Sequence, residues 1–465
     1  MKRSIIFIIL TLFVFGNSFC QNTAKFKLYS PIELAADIDT LADYIEATHI
    51  NPFYKLSKIE FYKELNAIKT NITNPISSVD FYFLLSTLLS KIEDGHTCIS
   101  FSQREYLKSN PIIFPYNIKL SNNDPYIKVI KPYKSVKSEL PFGVEILSVN
   151  NVESKKIIQD IKNLNSGESA DFRLDRALDF SFYLTAFYKM QNDFEIKYKE
   201  NNIIKTKIIK GIKNDSLYQL QKNDKTVEPI ENTVDYSLKI IAELKTAIIN
   251  FVEFREVDKF KIFVDSAFKQ IKTNNIENLI IDLRENTGGN SVIGDELFQY
   301  IYNKPFSQFS KAKIKYSKLR KKFYSELFVQ MKDSFLLHNI NKPFGLVEDD
   351  IDTAIVQPRE NPYRFKGSIY LLTSTTTFSS ATDFAQCFKY YKMGKIIGQE
   401  TGGWIVCYGD IINGKLPNTR LLISISHKSF YCIGAKENDW HGVIPDIEIQ
   451  SDKAMDYTLK LINKN

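Results

Sequence analysis

The chain has 465 residues, 44% of them hydrophobic and 25% charged, with a formal net charge of +7. These values exclude a disordered chain, a single compact core and the strongly basic balance of a nucleic-acid binder. No repeat at solenoid period interrupts the reading, which expects two or three domains.

Residues 1–20 read as a signal peptide. Lys2 and Arg3 are basic, Ile5 to Phe15 is an apolar run too short to span a membrane, and Ser18 and Cys20 put small residues at −3 and −1. Cleavage before Gln21 is expected, with export to the periplasm or the exterior. Loss of Lys2 and Arg3 takes the charge from +7 to +5. The bulky Phe19 argues against a lipid anchor on Cys20. Of the remaining Cys98, Cys387, Cys407 and Cys432, three full disulfide pairings are possible and the spacing selects none. It is not the spacing of a zinc ribbon.

From residue 30 to 95 three apolar stripes at helical spacing follow one another: Leu34, Ile38, Leu41 and Ile45; Phe61, Leu65, Ile68 and Ile72; and Val79 to Ile92. Pro52 and Pro75 fall between them, where a helix breaks. A helical N-terminal domain over 21–100 is expected. It ends at Glu93-Asp-Gly-His96-Thr97, a turn that leaves His96 at a helix-to-strand corner, either as surface decoration or as a base.

Residues 101–235 read as a β-rich module and linker. Tyr126–Ile130 and Gly143–Val149 are strands, the second closed by an Asn-Asn turn and followed by a short helix over Ser154–Ile161. That order resembles a PDZ domain, which binds a peptide as an added strand. After the polar stretch 211–235, strands and helices alternate: Thr246–Phe251, Val257–Ile271, Leu279–Leu283, Ser291–Tyr302. An α/β layered domain over 236–465 is expected. Within it, Gly288-Gly289 follows a buried strand, fitting either a tight turn or a close backbone approach to a ligand. The insertion 303–366 carries a basic run, Lys311 to Lys322, read as a solvated face or a lid. Strands Leu421–Ser426 and Ser429–Ile433 come late, and a helix closes the chain.

The stretch Gly367–Tyr391 passes from an apolar strand through a hydroxyl-rich loop into a helix. A serine at such a turn exposes Oγ beside free helix N–H groups, so Ser380 is the candidate nucleophile. Ser380-Ala-Thr-Asp383 fits a helix capping box equally well.

Four segments decide between these readings: EDGHT at 93–97, DLRENTGG at 282–289, FSSATD at 378–383 and HGVIPD at 441–446. In this order they resemble the tail-specific, or C-terminal-processing, serine proteases, closest to the tricorn-like branch with a histidine base. The resemblance implies a helical cap, a PDZ-like module and a crotonase-like α/β core. It implies Ser380 as nucleophile, His96 as base, and Asp439 as acidic partner with Glu437 as fallback. The oxyanion donors it implies are the N–H groups of Ala381 with Gly288 or Gly289. No cofactor and no metal are implied, and the partner is a peptide or unfolded protein. Thr401-Gly-Gly-Trp404 lacks the lysine of the family's lysine branch. The rival readings are a degenerate member that binds a peptide or small ligand without cleaving it, a crotonase-type acyl-CoA enzyme, and a zinc hydrolase built on His96, His427 and His441. Export speaks against the second, and the absence of a helix-spaced ligand pair against the third.

Overall fold

The computed structural model describes residues 26–223, 235–332, 334–350 and 353–464. The expected signal peptide and most of the linker lie outside the described residues. The N-terminal stripes become α1 (Pro31–Thr48), α2 (Lys58–Asn71) and α3 (Ser78–Leu89). Ser30 with Glu33, and Ser57 with Glu60, form reciprocal capping boxes that set the starts of α1 and α2. Leu34, Ile38, Leu41 and Ile45 are all buried. After α3 a left-handed Glu93 turns the chain into β1 (Cys98–Ser100).

An antiparallel sheet follows, with strands β2 (Tyr116–Lys119), β3 (Ile127–Pro132), β4 (Glu145–Val149), β5 (Phe194–Glu200) and β6 (Ile203–Ile209) in the order β6-β5-β4-β3-β2. Helices α4 (Ser154–Leu164) and α5 (Ala170–Asp175) lie between β4 and β5. Ile157, Ile158, Ile161 and Leu164 of α4 join the helical cap in one continuous core.

The chain then builds β7 (Tyr236–Ile241), β8 (Thr246–Phe251), α6 (Val257–Thr273), β9 (Asn278–Asp282), α7 (Val292–Ile301), β10 (Phe309–Lys315), α8 (Lys318–Met331) and β11 (Val347–Asp349). It continues through β12 (Ser368–Thr373), α9 (Ser380–Tyr390), β13 (Lys395–Gly398), β14 (Val406–Lys415), β15 (Leu422–Cys432), β16 (Ile447–Glu448) and α10 (Ser451–Lys464). One sheet runs β7-β8-β9-β12-β13-β16, parallel throughout except for β7. Its central strands are apolar on both faces because both are covered: α6, α7 and α9 pack on one side and α10 on the other. A second sheet runs β11-β10-β15-β14.

β15 is one strand where the sequence expects two. His427 and Lys428 look like a turn, but Lys428 pairs with Asp350 and Asp410, so the strand continues through them. The basic run of 311–322 is likewise not all solvated. Arg320 is buried, held by Asn339 and stacked on Tyr316 and Tyr324 at 4.5 and 4.0 Å.

Candidate active site

Two connections leave the carboxyl ends of neighbouring parallel strands, β9 and β12, where α/β sheets place their ligands. The loop after β12 spends its hydroxyls on the turn after β9. Thr377 Oγ1 donates to the Leu283 carbonyl at 2.8 Å and Ser374 Oγ to that of Arg284. Buried Asn286 returns the tie: its carbonyl accepts from Phe378 N–H, its Nδ2 donates to the Phe251 carbonyl at 2.7 Å, and its Oδ1 accepts from Gly288 N–H at 2.8 Å.

The chain then makes a sharp elbow at Ser379, with φ 53° and ψ −131°. A non-glycine residue held there stores strain of about 1–3 kcal/mol. Ser379 is the N-cap of α9, yet its hydroxyl makes no capping bond. Instead Ser379 Oγ lies 3.0 Å from His96 Nε2. The structure therefore moves the candidate nucleophile by one residue. Ser380 is turned inward, 3% exposed, with its Oγ donating to the Gly289 carbonyl at 2.8 Å and lying 3.0 Å from Ser291 Oγ. Neither serine forms the expected capping box.

The expected oxyanion donors change with it. Ala381 N–H bonds to the Phe378 carbonyl at 3.1 Å, and Gly288 N–H is taken by Asn286. Among the hydrogen bonds of the described residues, none uses the N–H of Ser380 or of Gly289. Gly288 has φ 101°, and a Cβ there would meet Ser379 Cβ at 2.7 Å and the Phe378 carbonyl at 2.8 Å. Only glycine lets the two turns close on each other.

His96 arrives from the other end of the chain. β1 pairs antiparallel with the start of β15, Cys98 opposite Ser424, and so docks the N-terminal segment onto the second sheet. Asp94 shapes the turn before it. Its Oδ1 accepts His96 N–H at 2.9 Å, and its Oδ2 accepts from Ser426 Oγ at 2.6 Å and His49 Nε2 at 3.1 Å. His49 Nδ1 accepts Asn51 N–H, so the His49 proton is on Nε2, facing Asp94. Burial works against an ionised Asp94, but the bonds to His49 and His96 prevail and hold its carboxyl well below the usual range. Phe378 lies against the His96 ring, centroids 4.6 Å apart, and Phe172 of α5 stacks on Phe378 at 4.1 Å.

The carboxylates that face His96 are Asp94 and Glu168, not Asp439. Asp94 Oδ1 is 3.7 Å from His96 Nδ1, and Asp94, His96 and Glu168 each place one ligand-capable atom within 4.8 Å of the others. Asp439 folds back onto Lys436 N–H at 2.8 Å, and the fallback Glu437 is exposed and paired with Lys311. The three histidines of the zinc reading are not assembled: His427 Nδ1 faces the Asp410 carbonyl and His441 Nδ1 the Gly442 carbonyl. The four cysteines are free thiols.

Residues 245–449, which hold both turns and the elbow, match the sequence model of peptidase family S41. That match places the C-terminal part of the chain, residues 245–449, in peptidase family S41. The chain is a serine-type peptidase. Among solved structures, mature CPAF complexed with lactacystin superposes with a TM-score of 0.64 at 13% identity, over 94% of this chain and 99% of that one. A substitution mutant of CPAF gives 0.65 at 12% identity, over 93% and 96%. At such identity the likeness is one of fold.

In this peptidase, sequence reasoning missed three residues that the fold brings to the site: Ser379, Asp94 and Glu168. Ser379 had a signal, since two adjacent serines at an elbow differ only in which one takes the strained φ. Asp94 stood inside the quoted EDGHT segment. Glu168 had none, because nothing along the chain says that the α4–α5 connection reaches the catalytic turn.

Proposed function

We propose that this exported peptidase cleaves peptide bonds through an acyl-enzyme on Ser379, with His96 as general base. The 3.0 Å approach of His96 Nε2 to Ser379 Oγ at a strained elbow carries this reading. Ser379 Oγ attacks the peptide carbonyl while His96 Nε2 takes its proton. The tetrahedral oxyanion is received by the N–H of Ser380 at the start of α9 and that of Gly289 in the turn after β9. His96 then gives the proton to the leaving amine, and a water repeats the sequence to free the acyl group. The proton sits on Nδ1, on the side of the ring where Asp94 and Glu168 lie, which keeps Nε2 a base. The histidine base and the lysine-free turn at Thr401–Trp404 support the tricorn-like branch, and the leader at 1–20 supports periplasmic or extracellular action.

The test is a mass-spectrometric digest of an unbiased peptide mixture with four proteins: wild type, Ser379→Ala, Ser380→Ala and His96→Ala. Cleavage lost in Ser379→Ala and His96→Ala but kept in Ser380→Ala is the expected result. Full activity in Ser379→Ala overturns the assignment.

A further inference from the structure

Around His96 one nitrogen and one carboxyl group lack a partner. His96 Nδ1 is buried with no hydrogen bond, and both oxygens of Glu168 are buried with none. Asp94 has little left to offer Nδ1. Its two oxygens already serve His96 N–H, His49 and Ser426; its Oδ1 stands 3.7 Å from Nδ1, and a Glu168 oxygen lies within 4.8 Å of the ring and of Asp94. Glu168 carries no side-chain hydrogen bond; what faces its carboxyl group is the backbone of Gly95 and of Glu168 itself. Its approach depends on Gly95, where a Cβ would sit 2.7 Å from Glu168 Oε2.

We propose that Glu168 is a positioning residue for His96, a carboxylate delivered by the β-rich module that receives Nδ1–H and steadies the imidazolium formed when Nε2 takes the Ser379 proton. The proposal rests on the Ser379–His96 reading. It explains why a carboxyl group is buried without a partner in the resting enzyme: the partner acquires its charge only during the reaction. No proton moves to Glu168; the Nδ1–H bond is kept and donated.

The surroundings fit this role. The charged and titratable groups facing the pair are Asp94, Arg176, Tyr54 and Cys407, with Glu93 and Arg173 paired at the rim. Arg176 is committed to the carbonyls of Gly95 and Ser166 rather than to Glu168. Burial, and then the charge of Asp94, push the Glu168 carboxyl up to about 7. Burial works to lower the His96 pKa, but the Asp94 and Glu168 carboxylates outweigh it and raise it. Both groups are shifted upward, and His96 becomes an effective base toward Ser379 as pH rises through its raised value.

The experiment measures the rate at which a fluorophosphonate probe labels Ser379, from pH 5 to 9. It needs no knowledge of the substrate. It compares wild type, Glu168→Gln, Glu168→Asp and His96→Ala, each checked for a cooperative unfolding transition and for bound zinc. Glu168→Gln is expected to lower the plateau rate roughly tenfold to a hundredfold. Its acid-limb midpoint should move to lower pH, because His96 loses a neighbouring negative charge. Glu168→Asp should restore part of both. A wild-type rate and an unmoved midpoint in Glu168→Gln overturn the proposal, as does one equivalent of zinc lost with Glu168, which would make the trio a metal site. If His96→Ala labels as fast as wild type, the underlying Ser379–His96 reading fails instead.

Discussion

Ser379 holds a backbone conformation that glycine adopts freely and serine does not. Ser379→Gly should therefore abolish cleavage while raising stability by about 1 kcal/mol, read as a higher denaturant midpoint. Glu168 shows the same opposition between function and stability. Its folded pKa lies above the ordinary 4.5, so the native state favours its neutral form. Stability must then fall as pH rises from about 4.5 to 7, by a ceiling of about 3 kcal/mol. Glu168→Gln removes that slope. Its melting temperature should exceed that of wild type at pH 8 and match it at pH 4. His96, raised as well, contributes stability below its unfolded pKa that is lost as pH rises through the folded value. Asp94 works in the other direction: its contribution is present above the ordinary carboxyl value of 3.8 and lost as pH falls through the folded one. At this scale the Asp-Gly turn that carries His96 was legible in the sequence, while its reading as a base came only with the resemblance of the four segments. The choice between Ser379 and Ser380 was not. Both sit between a strand and a helix, and only the backbone angles separate the exposed hydroxyl from the buried one.

The elements that matter most are two connections and one short strand. The turn after β9 and the elbow after β12 touch because their strands are adjacent, and Gly288 is where they touch. Gly288→Ala would thrust a methyl group into Ser379 Cβ at a φ of 101°. It should cost about 1–3 kcal/mol of stability. Turnover should fall at least a hundredfold, since the elbow and its oxyanion donor shift together. Activity and denaturant midpoint measured on the same protein check both. The helices and the parallel strands were readable from periodicity. β15 was not, because the ion pairs that keep His427 and Lys428 within a strand come from Asp350 and Asp410, far away in sequence. The acidic partner failed for a similar reason. Asp439 stood in the expected motif, but its loop closes on Lys436, and the charge beside His96 comes from Asp94 and Glu168.

Across the whole molecule the site is assembled from three places. Residues near 95 bring the base, the α4–α5 connection brings Glu168 and Phe172, and the parallel sheet brings Ser379. Phe172, stacked on Phe378 and almost fully buried, is the apolar seal between the β-rich module and the elbow. Phe172→Ala should cost about 3 kcal/mol. If the module seats the site, activity should drop while α4 and the module sheet keep their hydrogen-exchange protection. Protection lost across the whole module would show instead that Phe172 holds the module's fold.

The sequence alone determined the class of molecule. Local patterning is enough to write helices, buried parallel strands, glycine turns and a histidine corner, because each depends on residues a few positions apart. The pairing of catalytic groups depends on contacts across as many as 283 positions, as between His96 and Ser379. Only the tertiary structure could decide which serine faces the imidazole, which N–H groups are left free, and which carboxylates stand behind it, because burial and backbone strain are properties of the packed chain.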